Sequence, residues 1–281
     1  MGLIYETRGT DTGITAVDTA VPLTTFGGTA GTAISVGNFR PPAGVTAIRY
    51  IKVAIGCDGA GVGAGTYVLK LKGKGVKVNQ SILVATYGGQ NATGDNCPIA
   101  AFKLHTDIDV RPGNDILVTI ENDVVDLGSS SAEVTLGYGP SGGAHMEYHT
   151  RCGAIANDDV MTELSSDGSD GTSAAQIQVP DSAVAIKHLI SGIASDSSVT
   201  GEIAAYCRLS GGTQDGDQDF AMNGAGGTLA TSAPMGLPAD IDEVDLAVKP
   251  SKNLVIHAGF TGSDIGSASA GVCVGFQTGG Q

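Results

Sequence analysis

The sequence contains no tryptophan, aromatic residues make up 5% of it, and only 16% is charged. Sugar-binding faces lean on exposed aromatic rings, so this shortage counts against a carbohydrate-binding module. Positive charge is scarcer still: 15 Lys+Arg stand against 29 Asp+Glu, a formal net charge of −14. A nucleic-acid surface needs clustered cations to displace counterions, and Arg8 is the sole basic residue before Arg40, so direct nucleic-acid binding is not expected. The uncharged stretch Thr19 to Phe39 is mostly Thr, Gly, Ser and Ala, too polar to span a bilayer. The start MGLIYETRGT has neither a basic n-region nor an apolar core. No transmembrane segment and no secretion signal are therefore expected.

Motifs of catalysis are missing as well. There is no G-x-S-x-G elbow, no P-loop and no Cys-x-x-Cys. Gly59 to Ala64 reads GAGVGA, but the TYVLKLKG that follows alternates like a strand, whereas a dinucleotide site needs a helix there, so the stretch reads as a turn. His145 and His149 stand four apart in HMEYH, yet Glu147 occupies neither zinc-protease position, and both read as junction histidines. No catalytic residue, no cofactor and no enzymatic activity are expected. Asp215, Asp217 and Asp219 in DGDQD have a spacing that Ca²⁺ accepts, without the distal Glu of an EF-hand loop; solvated acidic loops are the competing reading. Lys70, Lys72, Lys74 and Lys77 form the one basic cluster and read as a solvated face. The cysteines, Cys57, Cys97, Cys152, Cys207 and Cys273, are odd in number and do not recur at matched positions. They are expected to be five free thiols in a reducing cytoplasm.

What is present is glycine, 43 residues of it, together with abundant Thr, Ser, Val and Ala, a composition rich in turns and poor in sustained helix formers. An all-β chain follows. It is also a duplicated one. Pro42 to Gly73 is repeated 138 positions later as Pro180 to Gly211, with Ile48 facing Ile186, Arg49 facing Lys187 and Gly73 facing Gly211. The offset runs on without insertion through Asp107/Asp245 and Pro112/Pro250, and about a quarter of positions 39 to 139 match, more than chance sustains over such a run. Ahead of it, Tyr5-Glu6-Thr7-Arg8 is echoed by Tyr148-His149-Thr150-Arg151. Tyr5, Arg8, Tyr148 and Arg151 are thus either a duplicated assembly arm or the start of a first strand in each unit, with Tyr5 to Thr15 read as irregular. The boundary falls near Gly142, giving units 1–142 and 143–281.

Each unit is of a size that folds with its own core. Turn signals every 8 to 15 residues separate about eight strands, the spacing of a β-sandwich. The expected strands include Ala20 to Thr25, Thr32 to Phe39 and Ala47 to Ile55 early in the first unit, and Asp158 to Ser165 is the best candidate for a short helix. The first unit holds 10 Lys+Arg against 12 Asp+Glu and the second 5 against 17, so the charge is −2 on one and −12 on the other.

The paired segments AIRYIKVAIGCD/AIKHLISGIASD and DLGSSSAEVTLGY/DIGSASAGVCVGF, inside two tandem sandwiches, give the whole chain a resemblance to the tandem (double) jelly-roll major capsid proteins of icosahedral viruses. The resemblance implies two eight-stranded jelly rolls per chain. It also implies homotrimers that act as pseudo-hexamers, contacts with neighbouring trimers and other virion proteins, and location in the virion after assembly in the host cytoplasm. A capsid decoration or spike protein and a carbohydrate-binding β-sandwich remain as alternatives.

Overall fold

Ile51, Val53 and Ile55 are buried while Lys52 between them is exposed, the period-two pattern of a strand with one face on a core. The computed structural model describes residues 2–9, 33–57, 62–90, 97–123, 130–155, 161–168, 176–195, 203–226, 235–262 and 268–279. Every regular element among them is a strand. The first half contributes β1 (Ile4–Gly9), β2 (Ala33–Phe39), β3 (Ala47–Cys57), β4 (Val62–Lys72), β5 (Gln80–Gln90), β6 (Cys97–Asp109), β7 (Ile116–Asp123) and β8 (Ser130–Gly139). They pair antiparallel in the orders β1-β8-β3-β6 and β2-β7-β4-β5. Strands that alternate between two facing sheets in this way make an eight-stranded jelly roll.

The second half contributes β9 (Met146–Ile155), β10 (Thr162–Glu163), β11 (Ile177–Gln178), β12 (Ala183–Ser195), β13 (Ile203–Ser210), β14 (Gln218–Met222), β15 (Gly224–Gly226), β16 (Met235–Pro238), β17 (Asp240–Ala247), β18 (Asn253–Gly262) and β19 (Ala268–Thr278). Its sheets run β9-β19-β12-β17 and β14-β13-β18, with β10 and β11 both on β18. This is the same jelly roll with some strands broken into pieces. Register repeats too: Ile48 lies opposite Tyr138 and Ile108, Ile186 opposite Phe276 and Leu246, and a bulge follows each isoleucine. Gly73 and Gly211 take the same left-handed turn, with φ of 100° and 84°. The left-handed position at Gly113 (φ 76°) is filled in the second half by Ser251 (φ 61°).

Several expectations need correction. Residues 4–9 are a strand, β1, rather than an irregular arm, because every one of them pairs with β8. Thr162–Glu163 is strand β10 instead of a helix, since its partners are Ala258 and His257 and the next N–H, of Leu164, donates to the Ile256 carbonyl at 2.8 Å. The expected strand Ala20 to Thr25 and Gly59 to Gly61 of the GAGVGA stretch lie outside the described residues, whereas Val62 to Ala64 belong to β4.

The echo of Tyr5 in Tyr148 has a packing cause. A Cβ on Gly137 would sit 2.8 Å from Tyr5 Cε1, and one on Gly275 would sit 2.6 Å from Tyr148 Cε1. Each tyrosine ring lies across a glycine on the neighbouring strand, an aromatic covering a bare stretch of backbone. Tyr148 and Arg151 are therefore not on a free arm. Tyr148 is fully buried, and Arg151 sits in β9, paired with β19, its Nη1 donating to the Thr150 carbonyl at 2.7 Å. Tyr5, 58% exposed, packs edge-on against Tyr50, and Arg8 pairs with Glu6 at 2.7 Å.

The halves meet face to face. Strands β4 and β5 are buried on both sides, as are β12 and β19, so these strands lack an outer polar row. Glycine makes the approach close enough: an added Cβ would lie 2.1 Å from the Ser195 carbonyl oxygen at Gly88, 2.6 Å from Thr86 at Gly192, and 2.6 Å from Leu83 at Gly271. Tyr148, Cys152, Ile190 and Cys273 of the second half thereby join the apolar cluster of the first. The second half also lends a strand: β16 pairs with β5, and the Ala239 N–H continues the ladder to the Val84 carbonyl at 3.1 Å. The sheet β2-β7-β4-β5 is thus completed by a strand of the second half.

Gly88→Ala must push a methyl into a backbone oxygen, an overpacking that costs roughly 1–3 kcal/mol or more. We expect a clear fall in melting temperature by calorimetry, against little change for Gly153→Ala, whose Cβ would meet nothing nearer than 3.6 Å. Equal melting of the two variants would contradict the seam as described.

Cys152, Cys207 and Cys273 are free and buried, and burial pushes the thiol of Cys207 up to about 12 and that of Cys273 to about 11. The ladder sets the backbones of Cys57 and Cys97 opposite each other. Native protein at about pH 8 should leave Cys207 and Cys273 unreactive toward a disulfide reagent, because only the thiolate attacks. Unfolded without reductant, the chain should yield five thiols; a count of three would mark a bond across β3 and β6.

Candidate functional site at the seam between the halves

Beside the seam, a groove of about 490 Å³ is lined by Arg49, His105 and Asp107 of the first half and by Lys187, His188 and Gln277 of the second. Asp107 is 2% exposed. Its Oδ2 accepts from the N–H of Gly142 at 2.6 Å and of Ala144 at 3.1 Å, from Ser141 Oγ at 3.1 Å and from Arg49 Nη1 at 3.1 Å. One carboxylate oxygen thus pins the segment that joins the halves. Its counterpart in the second half, Asp245, pairs with Lys187 at 2.7 Å but is 76% exposed in its side chain. The same duplicated ion pair is buried in one unit and wet in the other because the linker folds over only the first.

Across the groove, Tyr148 joins Thr106 and His188 in a buried hydrogen-bonded chain, with Oη 3.0 Å from Thr106 Oγ1 and 2.6 Å from His188 Nδ1. Burial drives the Tyr148 hydroxyl well above the ordinary phenol range and holds His188 below the ordinary imidazole range, with Glu243 opposing the latter. Both groups are consequently neutral at neutral pH. The chain orients the imidazole and links Thr106 of the first half to Tyr148 and His188 of the second.

The acidic and histidine motifs do not converge. Asp219 gives both carboxylate oxygens to Arg208, at 2.7 and 2.8 Å, directly opposite it on β13. Both its oxygens are thus taken up by Arg208, whose charged form Asp217 also favours. No group of three His, Cys, Asp or Glu that could hold a metal ion occurs among the described residues. His145 bonds Asp109 at 3.0 Å and His149 bonds Glu147 at 2.9 Å, each held by its own carboxylate.

Of the basic cluster, Lys74 and Lys77 are exposed as a solvated face requires, but Lys70 and Lys72 are not on one. Lys70 is 3% exposed, its Nζ 2.6 Å from Glu121 Oε2 and 3.2 Å from Asp167 Oδ1, and Lys72 reaches the other Glu121 oxygen at 3.2 Å. The reason is the second half: Gly168 packs against Val68, on the same side of β4 as Lys70, and brings Asp167 with it. An ammonium so enclosed is tolerable only with such partners. The Thr106–Tyr148–His188 chain and the Asp107 hub went unseen in the sequence. The matched pairs Arg49/Lys187 and Asp107/Asp245 were the available signal for the second.

No protein-family model matches the chain, and no curated protein does. Among solved structures, a peptide-N(4)-(N-acetyl-β-D-glucosaminyl) asparagine amidase aligns with a TM-score of 0.47 and 12% identity, over 99% of this chain and 97% of its own. The major capsid protein of bacteriophage PM2 aligns at 0.35 with 8% identity, over 99% of each chain. A chain of infectious bursal disease virus, Gx strain, aligns at 0.26 with 15% identity, over 100% of this chain and 74% of its own. The chain thus has a weak structural resemblance to viral capsid proteins. The expectation of no enzymatic role, drawn from the missing motifs, is corrected: the solved structures that align over the whole chain include an amidase.

His188 supplies the pH test. Its folded value lies below that of the unfolded chain, so the unfolded state binds the extra proton. The stability this contributes is complete above about pH 6.5 and is lost as pH falls toward the folded value. Melting temperatures on the two sides of that window should differ less for His188→Gln than for the unaltered protein; an identical acid limb would show that His188 is not desolvated.

Proposed function

We propose that this chain is a viral structural protein, a major capsid protein whose homotrimers act as pseudo-hexamers in an icosahedral shell. Residues 1–142 and 143–281 are its two units. The observation that carries the reading is the same jelly-roll strand order made twice in one chain, with the facing sheets buried against each other. Two like units per chain give three chains six similar positions around one axis, and heterologous contacts between unlike units close such a ring. The charge division fits the role: a first unit near neutrality packs without strong self-repulsion, while a second at −12 faces solvent or cations. The partners are further copies of the chain and other virion proteins, and the place is the virion, assembled in the host cytoplasm.

Light scattering coupled to size exclusion, followed by negative-stain imaging, tests this. A trimer that tolerates high salt, and that associates further when pH is lowered or Ca²⁺ added, is the expected result. A monomer at micromolar concentration under every condition would overturn it.

A further inference from the structure

The seam inside the chain is made by two faces, and duplication has copied both. One is the outer face of sheet β9-β19-β12-β17, the other the outer face of β4 and β5. Three contacts define their fit. The Tyr148 N–H donates to Gln80 Oε1 at 2.8 Å, Thr150 Oγ1 donates to the Ser81 carbonyl at 2.8 Å, and a Cβ on Gly271 would lie 2.6 Å from Leu83 and 3.3 Å from Thr66. Register makes Tyr5, Thr7 and Glu133 the first-half counterparts of Tyr148, Thr150 and Gly271, since Tyr5 lies opposite Gly137 as Tyr148 lies opposite Gly275. The 138-residue offset makes Gln218, Asp219, Ala221 and Ala204 the second-half counterparts of Gln80, Ser81, Leu83 and Thr66. Burial separates the originals from their copies. Tyr148, Thr150 and Leu83 are fully buried in the seam, whereas Tyr5 is 58% exposed and Thr7, Glu133 and Ala221 are exposed as well.

We infer that these two copied faces dock on each other between molecules: the outer face of sheet β1-β8-β3-β6 in one copy of this chain receives the outer face of β13 and β14 in the next. The seam itself identifies the occupant. Its polar groups are retained on both sides, Tyr5 and Thr7 on one face and Gln218 on the other. The register that turns the Tyr148 N–H toward Gln80 is kept at Tyr5, on the outer edge of β1, where no strand pairs among the described residues. Where residue types change, they change in compensation. Glycine against leucine and threonine in the seam becomes Glu133 against two alanines, Ala221 and Ala204. Ile190 lies opposite Cys273, whose Sγ reaches the Ser81 carbonyl at 3.4 Å; at the corresponding places stand exposed Lys52, opposite Thr135, and exposed Asp219. Lys52 and Glu133 on one face thus meet Asp219 and Arg208 on the other, and such complementarity fixes register and partner. The copied part is the one made by residues 80–83; the β15 segment, which corresponds to residues 86–88, pairs with β12 and stays within its own chain. Because each contact joins a first half to a second half, the same pair of faces recurs head to tail, the heterologous arrangement that closes a ring.

This names the contact surface of the assembly proposed above and rests on that reading. The test is the oligomeric state of the full chain, by light scattering coupled to size exclusion, for three samples: Thr7→Arg with Glu133→Arg, which blocks one face; Gln218→Arg with Ala221→Arg, which blocks the other; and the two variants mixed in equal amounts. Each is first checked for unaltered thermal unfolding, and Thr7→Lys and Ala221→Lys alone replace a pair that melts early. Either variant by itself should self-associate about tenfold or more weakly, as buried bulk and charge at an interface demand. The mixture should form heterodimers and nothing larger, since each variant keeps the face that the other lacks. Undiminished assembly of either variant would overturn these faces while leaving the shell reading intact. A mixture that stays monomeric would overturn their pairing with each other. An unaltered protein that never leaves the monomer would remove both readings.

Discussion

The fold depends on how closely two sheets can approach at the seam. Sheets normally stack about 10 Å apart because side chains stand between them. Here Gly88, Gly192 and Gly271 remove some of those side chains where β5 meets β12 and where β4 and β5 meet β19, so backbone and side chain of one half reach the backbone of the other. That approach covers the outer faces of β4 and β5, makes their continuous apolar sequence tolerable, and brings Asp167 within reach of Lys70. The groove beside the seam exists because the same approach ends there.

The two units show how environment reshapes one inherited set of residues. Arg49 with Asp107 and Lys187 with Asp245 are the same ion pair by position, yet the linker converts the first into a buried hub and leaves the second a wet surface contact. Surface pairs of the second kind contribute little, in the range of about 0–1 kcal/mol. The hub anchors the connection between the units. Duplication copied the pair, and the single linker then made its two copies unequal.

Much of the fold was legible. The 138-residue offset placed β3 on β12 and β8 on β19 correctly, since it reflects register as well as identity: the bulges after Ile48 and Ile186 coincide. What could not be read was whatever depends on the outer face of a strand. Tyr67, Leu69 and Leu71 alternate with Val68 and Lys70 in the same way whether the second row meets water or another sheet, so Lys70 passed for a surface residue. The Tyr5 and Tyr148 echo was visible without its cause, because the glycines beneath the rings lie far along the chain. The diversion of residues 235–238 onto β5 left no local trace beyond Pro238, and the chain of Thr106, Tyr148 and His188 joins three strands that no spacing connects.

The strand that β16 lends to β5 also bears on the order in which the chain is made. Synthesis proceeds from the N-terminus, and the first jelly roll is complete in sequence by Gly139, yet the last strand of its sheet arrives only with Met235–Pro238. Until β12 and β19 follow, the apolar outer face of β4 and β5 is not fully covered, and until β16 follows β5 offers an unpaired edge. A nascent chain in that condition is exposed to pairing with other nascent chains, the hazard of uncovered strands during folding. The joint that completes the first jelly roll's sheet thus also marks an interval in which synthesis is vulnerable.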